Sequence, residues 1–170
     1  MKKTAIVSIL SLTGICAASL WAQTGNLSKS DAEFLRMAAE ADMTSAHLGQ
    51  DAEDRAANGQ VKDFGKKLTT DHTQDYQQLS ELASKTGETI PKGIDRQDDR
   101  EIASLDRAKG KTFDREFLTH EVTEHEKLVR AFKQEAEHGN NPDVKAYANG
   151  ALPTIEGHLH DAQNLLKSKA

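Results

Sequence analysis

The clearest indication of the fold is the stretch of residues 31–52, which reads Asp31-Ala-Glu-Phe-Leu-Arg-Met-Ala-Ala-Glu-Ala-Asp-Met-Thr-Ser-Ala-His-Leu-Gly-Gln-Asp-Ala. Its apolar and small residues recur at intervals of four and three, a pattern typical of a helix that buries one face in a left-handed bundle. Ser30 is the predicted N-cap and Glu33 completes a capping box, so the helix should begin near Asp31. The residues on its predicted buried face are Phe34, Ala38, Ala41, Ser45, Leu48 and Ala52.

Three further amphipathic helices are predicted from a similar spacing of apolar residues. The second is predicted over about residues 60–86 and ends at Gly87, the third runs from about Thr112 to just before Gly139, and the fourth begins after Asn141 as N-cap. Residues 88–111 connect the second helix to the third, and a short extra helix is predicted within them over residues 98–109. Its Ile102 and Leu105 are expected to pack on the bundle.

The second pair of helices resembles the first pair. At an offset of 83 residues, Asp31 aligns with Asp114 and Asn58 with Asn141, and later the offset grows to 86, which aligns His72 with His158. Two hairpins and one longer connection predict an all-α fold, a ferritin-like antiparallel four-helix bundle. The matches fit an internal duplication, and convergence of two amphipathic hairpins is the alternative.

The chain divides into a leader and one domain. Lys2 and Lys3 precede an apolar run from Ala5 to Leu20, which is the layout of a secretory signal peptide. We therefore predict a signal peptide over residues 1–22 and a four-helix domain over residues 28–168. Cleavage after Ala22 would remove Cys16, the single cysteine of the chain.

Composition excludes several classes of function. The 170-residue chain has 22 Lys and Arg residues against 27 Asp and Glu residues, a net charge of −5. This acidity argues against binding to nucleic acid or to an anionic membrane. Beyond the leader there is no apolar run long enough to cross a bilayer, so the mature chain should have no transmembrane segment.

Several short motifs resemble a known family. These are the segment Asp31-Ala-Glu-Phe-Leu, the pair Asp71-His72, the run Glu124-His125-Glu126, and Leu152-Pro153 followed by His158. They resemble the exported bacterial family called domain of unknown function 4142 over about residues 28–168. The resemblance implies a ferritin-like bundle in the periplasm or outer envelope and implies no established activity. Members often carry a glutamate where this chain has Ser45, which weakens any site that would use that carboxylate.

Polar residues lie midway along the predicted helices. Ser45, His72, His125 and His158 each lie about 18–24 Å along their own helices, so antiparallel packing should bring them to similar heights. Imidazole nitrogens and carboxylate oxygens together suit a divalent transition metal such as Zn, Fe, Mn or Cu. The candidate metal ligands are His72, Asp75, Glu121, His125 and His158.

The same residues have a structural interpretation. Polar side chains on a buried face can form a hydrogen-bonded layer that fixes the register of a bundle without binding anything. A ferritin-type di-iron centre is not expected, because it needs two Glu-x-x-His motifs and the chain has one, from Glu135 to His138 at the end of the third helix. If the histidines do bind metal, affinity should fall below about pH 6.5, the ordinary imidazole pKa.

Two hypotheses about function follow. In the first, the protein is a non-enzymatic binding or structural module of the cell envelope that meets another envelope protein through a helix face. In the second, it sequesters a transition metal through its mid-bundle histidines. Convergence of His72, His125 and His158 would favour the second. No catalytic residue and no certain cofactor is predicted, since the mature chain lacks a cysteine nucleophile, a Gly-x-Ser-x-Gly elbow and a glycine-rich phosphate loop.

Overall fold

The computed structural model describes residues 27–94, 102–103 and 105–169. The predicted signal peptide, residues 1–22, and most of the first half of the predicted short helix lie outside these residues. Within them, Ile102, Ala103 and Leu105 are helical, and Ile102 and Leu105 are buried against the bundle as expected.

Four long helices account for most of the described residues. They are α1, Lys29–Arg55; α2, Gly59–Thr86; α3, Lys111–His138; and α4, Pro142–Lys169. No strand occurs in the described part of the chain. These helices confirm the predicted all-α fold and, within two residues, the predicted boundaries.

The start of α1 differs from the prediction. Ser28, not Ser30, is the N-cap, and its hydroxyl accepts a hydrogen bond from the Asp31 backbone N–H at 3.1 Å. Ser30 is already helical and its Oγ lies 2.9 Å from that of Ser28. Glu33 makes an ion pair with Lys29 at 3.5 Å. The predicted capping box is therefore wrong by two residues, because Ser28 has the same spacing to an acidic residue, Asp31, as Ser30 has to Glu33.

The other helix ends follow ordinary capping chemistry. Gly87 ends α2 with φ 74°, the left-handed conformation that glycine adopts without a steric penalty. Asn141 caps α4, since its side-chain oxygen accepts from the N–H groups of Asp143 and Val144. Both predictions are confirmed.

The helices form two hairpins, α1 with α2 and α3 with α4, and the hairpins pack on each other through α1 against α3 and α2 against α4. The start of α1 lies beside the start of α4, and the start of α3 lies beside the start of α2. Each helix is therefore antiparallel to both of its neighbours, and the connection from α2 to α3 returns along the length of the bundle.

Two carboxylates join the hairpins at opposite ends of the bundle. Asp31 accepts hydrogen bonds from the backbone N–H groups of Asn140 and Asn141 at 3.0 and 2.9 Å. Burial raises the pKa of Asp31, but these two bonds, together with side-chain hydrogen bonds from Ser28 and Glu135, outweigh it and lower that pKa overall.

Asp114 repeats this arrangement at the other end. It accepts from the N–H groups of Ala57 and Asn58 at 2.9 and 3.0 Å. Donors and acceptors in the two joints are related by the same offset of 83 residues. The matching joints support the internal duplication.

Within the first hairpin, two glycines allow a close approach of α1 and α2. A Cβ atom at Gly49 would lie 2.6 Å from the Gly65 carbonyl oxygen, and one at Gly65 would lie 2.5 Å from the Gly49 carbonyl oxygen. Because both clashes are with backbone, any side chain here would force the helices apart.

A polar layer divides the apolar core into two clusters. In every helix the apolar residues of one cluster are separated from those of the other by buried polar residues. The first cluster includes Phe34, Leu79, Phe132 and Ile155, and the second includes Leu48, Leu68, Phe117 and Ala162. The separating layer contains Asp42, Ser45, His72, Glu121, His125 and His158.

The fold predicts a large effect of truncation within the second cluster. Leu68 is completely buried, so Leu68→Ala should destabilise the protein by about 2–5 kcal/mol through lost contacts and the cavity left behind. Glu81→Ala, an exposed position of the same helix, should change stability by less than about 0.5 kcal/mol. Urea unfolding followed by circular dichroism measures both. Equal stability of the two variants would contradict the packing described here.

Candidate metal centre

Three histidines from three helices meet in the polar layer. His72 lies on α2, His125 on α3 and His158 on α4, and their rings are buried. The ring centroids are 5.5 Å apart for His72 and His125, 5.2 Å for His72 and His158, and 5.4 Å for His125 and His158. The three rings therefore converge, which is the condition that the metal-binding hypothesis requires.

Each ring is held by one of its two nitrogens. His72 Nδ1 lies 2.9 Å from the Asp42 carboxylate, and His125 Nδ1 lies 3.0 Å from the Glu121 carbonyl oxygen. His158 Nε2 lies 2.8 Å from the Asp71 carboxylate. Metal-binding histidines in proteins are oriented in this way, with the second ring nitrogen on a carboxylate or a carbonyl.

The remaining nitrogens have no hydrogen-bond partner among the described residues. They are Nε2 of His72, Nε2 of His125 and Nδ1 of His158, and all three are buried. One nitrogen from each ring can be chosen so that all three lie within 4.8 Å of one another. A tetrahedral ion holds histidine nitrogens at about 2.0–2.1 Å and therefore about 3.3 Å apart, so the rings need to close by at most about 1.5 Å.

Electrostatics keep two of the rings neutral. Burial lowers the pKa of His72 to about 3, with a further lowering by the neighbouring His125. Burial and the neighbouring His72 lower the pKa of His158 to about 4, although the hydrogen bond to Asp71 opposes the change. Only neutral imidazole binds a metal, so these rings are in the form that ligation requires. At His72 and His158, competition from protons is therefore expected at a pH well below about 6.5.

Asp42 is the residue of this layer that the sequence analysis missed. It is 3% exposed, and burial raises its pKa well above the ordinary value. As a carboxylate it accepts the Nδ1 proton of His72 and leaves Nε2 with a lone pair. As a protonated acid it donates to Nδ1, and Nε2 then carries the proton. A cation at Nε2 favours the first arrangement and releases that proton.

The internal duplication contained a signal for Asp42. The offset of 83 residues that relates the two hairpins places Asp42 opposite His125, just as the later offset of 86 places His72 opposite His158. The polar layer therefore holds one equivalent pair from each hairpin. Alignment of the two hairpins through the middle of α1 would have identified the position.

Of the two predicted carboxylate ligands, Glu121 lies next to His125 and Asp75 lies next to Tyr147. Both oxygens of Glu121 are buried without a hydrogen-bond partner, and Oε2 lies 3.3 Å from His125 Nδ1. Asp75 accepts a hydrogen bond from the Tyr147 hydroxyl at 2.8 Å. Neither carboxylate belongs to the group of ligand atoms within 4.8 Å, which consists of the three histidines. The geometry narrows the candidate ligands to His72, His125 and His158.

Asp75 has a raised pKa, and Ser45 offers no carboxylate. Burial, and next the charge of Asp42, raise the pKa of Asp75 to about 7, while the hydrogen bond from Tyr147 opposes the rise. Ser45 is 5% exposed and lies on α1 in the same layer. Its short side chain supplies no carboxylate, so the three-histidine group receives no ligand from that position.

Comparison with known proteins identifies the family and the fold. The model of the family described as domain of unknown function (DUF4142) matches residues 17–165, and the chain belongs to this family. No curated protein sequence matches the chain.

Two solved structures are similar in fold. The crystal structure of a DUF305 fragment from Deinococcus radiodurans aligns with a TM-score of 0.74 at 14% identity, covering 85% of this chain and 99% of that one. A putative spore coat protein from Bacillus halodurans C-125 aligns with a TM-score of 0.68 at 14% identity, covering 86% and 92%. At this identity both likenesses concern the helical bundle alone.

The electrostatics predict how the histidines titrate. At about pH 5 the rings of His72 and His158 should remain neutral, because burial holds their pKa values at about 3 and about 4, below the ordinary value near 6.5. Long-range nitrogen–proton NMR spectra recorded from about pH 4 to pH 8 report the protonation of each ring, with the exposed His47 in the same spectra as reference. A midpoint near the ordinary value for both rings would contradict the buried, uncharged layer.

Proposed function

We propose that this protein binds one divalent transition metal ion through His72, His125 and His158. The observation that carries the proposal is the group of three buried histidines, one from each of three helices. Their rings offer nitrogens within 4.8 Å of one another, and each ring has one buried nitrogen without a hydrogen-bond partner. Between the two hypotheses drawn from the sequence, this convergence favours metal binding over docking through a helix face.

The charges around the rings support a dication. Asp42 and Glu121 are both buried next to histidines of the group. Burying two carboxylates without a compensating charge is unfavourable, and a divalent ion between the rings would balance both. Neutral imidazole donors suit Zn²⁺, Cu²⁺ or Co²⁺, whereas Mg²⁺ and Ca²⁺ prefer oxygen ligands. Three protein ligands leave a position for water or another small ligand.

The proposed role is to hold metal without chemical turnover in the cell envelope. The charged start and apolar run of residues 1–22 support export, as does the resemblance of the motifs to an exported family. None of the helices in the described part of the chain is both long and apolar enough to cross a membrane.

Metal binding is tested by titration calorimetry on the mature chain without an affinity tag. Zn²⁺ or Co²⁺ should bind with a stoichiometry of one and a Kd below about 1 μM. Because the ion binds the folded arrangement, it should also stabilise the protein by about 2.7 kcal/mol at a hundredfold excess over Kd. The midpoint of thermal unfolding should rise accordingly.

The variant that tests the ligands is His72→Ala with His158→Ala, which should weaken binding at least about 100-fold. The matched control is His47→Ala with His160→Ala, since both of these histidines are exposed, and it should bind as the unmodified protein does. Binding no tighter than millimolar, or equal binding by the two double variants, would refute the proposed site.

Export is tested separately by intact mass. Protein recovered from a periplasmic extract should lack residues 1–22, because a signal peptidase removes the leader after the small residue Ala22. The matched variant replaces Lys2, Lys3 and the middle of the apolar run with acidic residues, and it should remain in the cytoplasm at full length. A periplasmic mass that includes the leader, or lipid on Cys16, would defeat the prediction.

A further inference from the structure

A cleft between α2 and α4 leads from solvent to two of the three histidines. It has a volume of about 250 Å³, and His72 and His158 are among the residues that line it. Their exposures are only 3% and 1%, so the rings lie at its inner end. A second cavity of about 270 Å³ opens between α1 and α3 on the other side of the bundle, and none of the three histidines lines it.

The cleft ends at two of the proposed ligands. His72 Nε2 and His158 Nδ1 are buried without hydrogen-bond partners, and both rings line the cleft. A cation that moves inward along the cleft therefore meets the rings of His72 and His158 first, and His125, from α3, lies behind them because it does not line the cleft. The cleft joins the proposed ligands to the outside.

The lining of the cleft suits a cation. Asp71 and Asp75 lie one turn apart on α2 and both line it. The Asp71 side chain is 31% exposed, while its Oδ2 lies 2.8 Å from His158 Nε2. This carboxylate contacts both the solvent and a proposed ligand. Carboxylate oxygens replace the waters of an incoming divalent ion, so the acidic wall lowers the cost of its dehydration.

We propose that this cleft is the route by which a divalent transition metal ion enters and leaves the three-histidine site, with Asp75 as a cation-attracting residue of its wall. The inference rests on the proposed function, since it concerns access to that site. It adds that the site exchanges its ion with the surroundings while the bundle remains folded. The protein would then act as an exchanging carrier of metal and not as a permanent structural metalloprotein.

Two glycines of α4 make a matched test. Gly150 lines the cleft and Gly157 does not, and at both positions a Cβ atom would meet nothing within 4 Å. Gly150→Leu places a side chain in the passage, whereas Gly157→Leu adds the same side chain elsewhere on the same helix. Both changes raise helix propensity equally, which separates obstruction from a general effect on α4.

The measurement is stopped-flow kinetics of Co²⁺ binding, followed by the visible absorption of the tetrahedral ion, with dissociation measured by transfer to a chelator. Gly150→Leu should slow association and dissociation by the same factor, at least about tenfold, and leave Kd within about twofold, because an obstructed route changes rates and not the equilibrium. Gly157→Leu should match the unmodified protein in both rates.

Asp75→Asn, measured at about pH 8, gives an independent variant that changes charge with little change in shape. Burial raises the pKa of Asp75 to about 7, so its carboxyl group is ionised at that pH. It should slow association several-fold at low salt and reduce the dependence of that rate on ionic strength. Unchanged rates in Gly150→Leu, or equal slowing in Gly157→Leu, would overturn the route while the metal site stands. Failure of the unmodified protein to bind Co²⁺ or Zn²⁺ at all would instead overturn the proposed function, and the route with it.

Discussion

The register between the two hairpins determines which side chains meet in the middle of the bundle. It is set at both ends by a buried carboxylate near the start of one helix that accepts two backbone N–H groups of the other hairpin, Asp31 at one end and Asp114 at the other. Hydrogen bonds from backbone N–H groups to a carboxylate are strong, and the four donors would otherwise be left without helical partners. A slip of one hairpin along the other would break both joints together and would move the histidines of α3 and α4 away from His72.

Fixed in this register, the bundle buries a layer whose polar groups are incompletely paired. Eight buried side-chain atoms of the described residues lack hydrogen-bond partners, and six of them belong to this layer. They are Asp42 Oδ2, His72 Nε2, Glu121 Oε1 and Oε2, His125 Nε2 and His158 Nδ1. Each such group costs about 1–3 kcal/mol relative to a paired one, so the layer stores an unfavourable energy that the two apolar clusters on either side must offset. Incomplete pairing concentrated at one height is a feature of functional sites more than of structural polar layers.

The duplication explains how a three-histidine group arises from two similar hairpins. Each hairpin contributes one equivalent pair of polar residues to the layer, Asp42 with His72 from the first and His125 with His158 from the second. If both hairpins carried the same pair, the layer would have either four imidazoles or two. The difference between Asp42 and His125 gives three imidazoles and one carboxylate that orients a ring. The site is therefore asymmetric. The cleft that reaches it lies between α2 and α4.

The four helices, most of their caps and the common height of the three histidines could be predicted from the sequence, because hydrophobic period, capping residues and helical rise are local properties. The sequence did not determine that Asp42 holds His72 or that Asp71 holds His158, and it suggested Asp75 and Glu121 as ligands where the fold leaves three imidazoles as the donor group. Those choices depend on the rotation of each helix about its axis, which drifts by about 20° per heptad relative to an ideal repeat. They depend also on side-chain rotamers that packing selects. Contacts between helices fix both quantities, so which ring nitrogens are hydrogen-bonded and which are left unpaired follows from the packing of the bundle and not from local sequence.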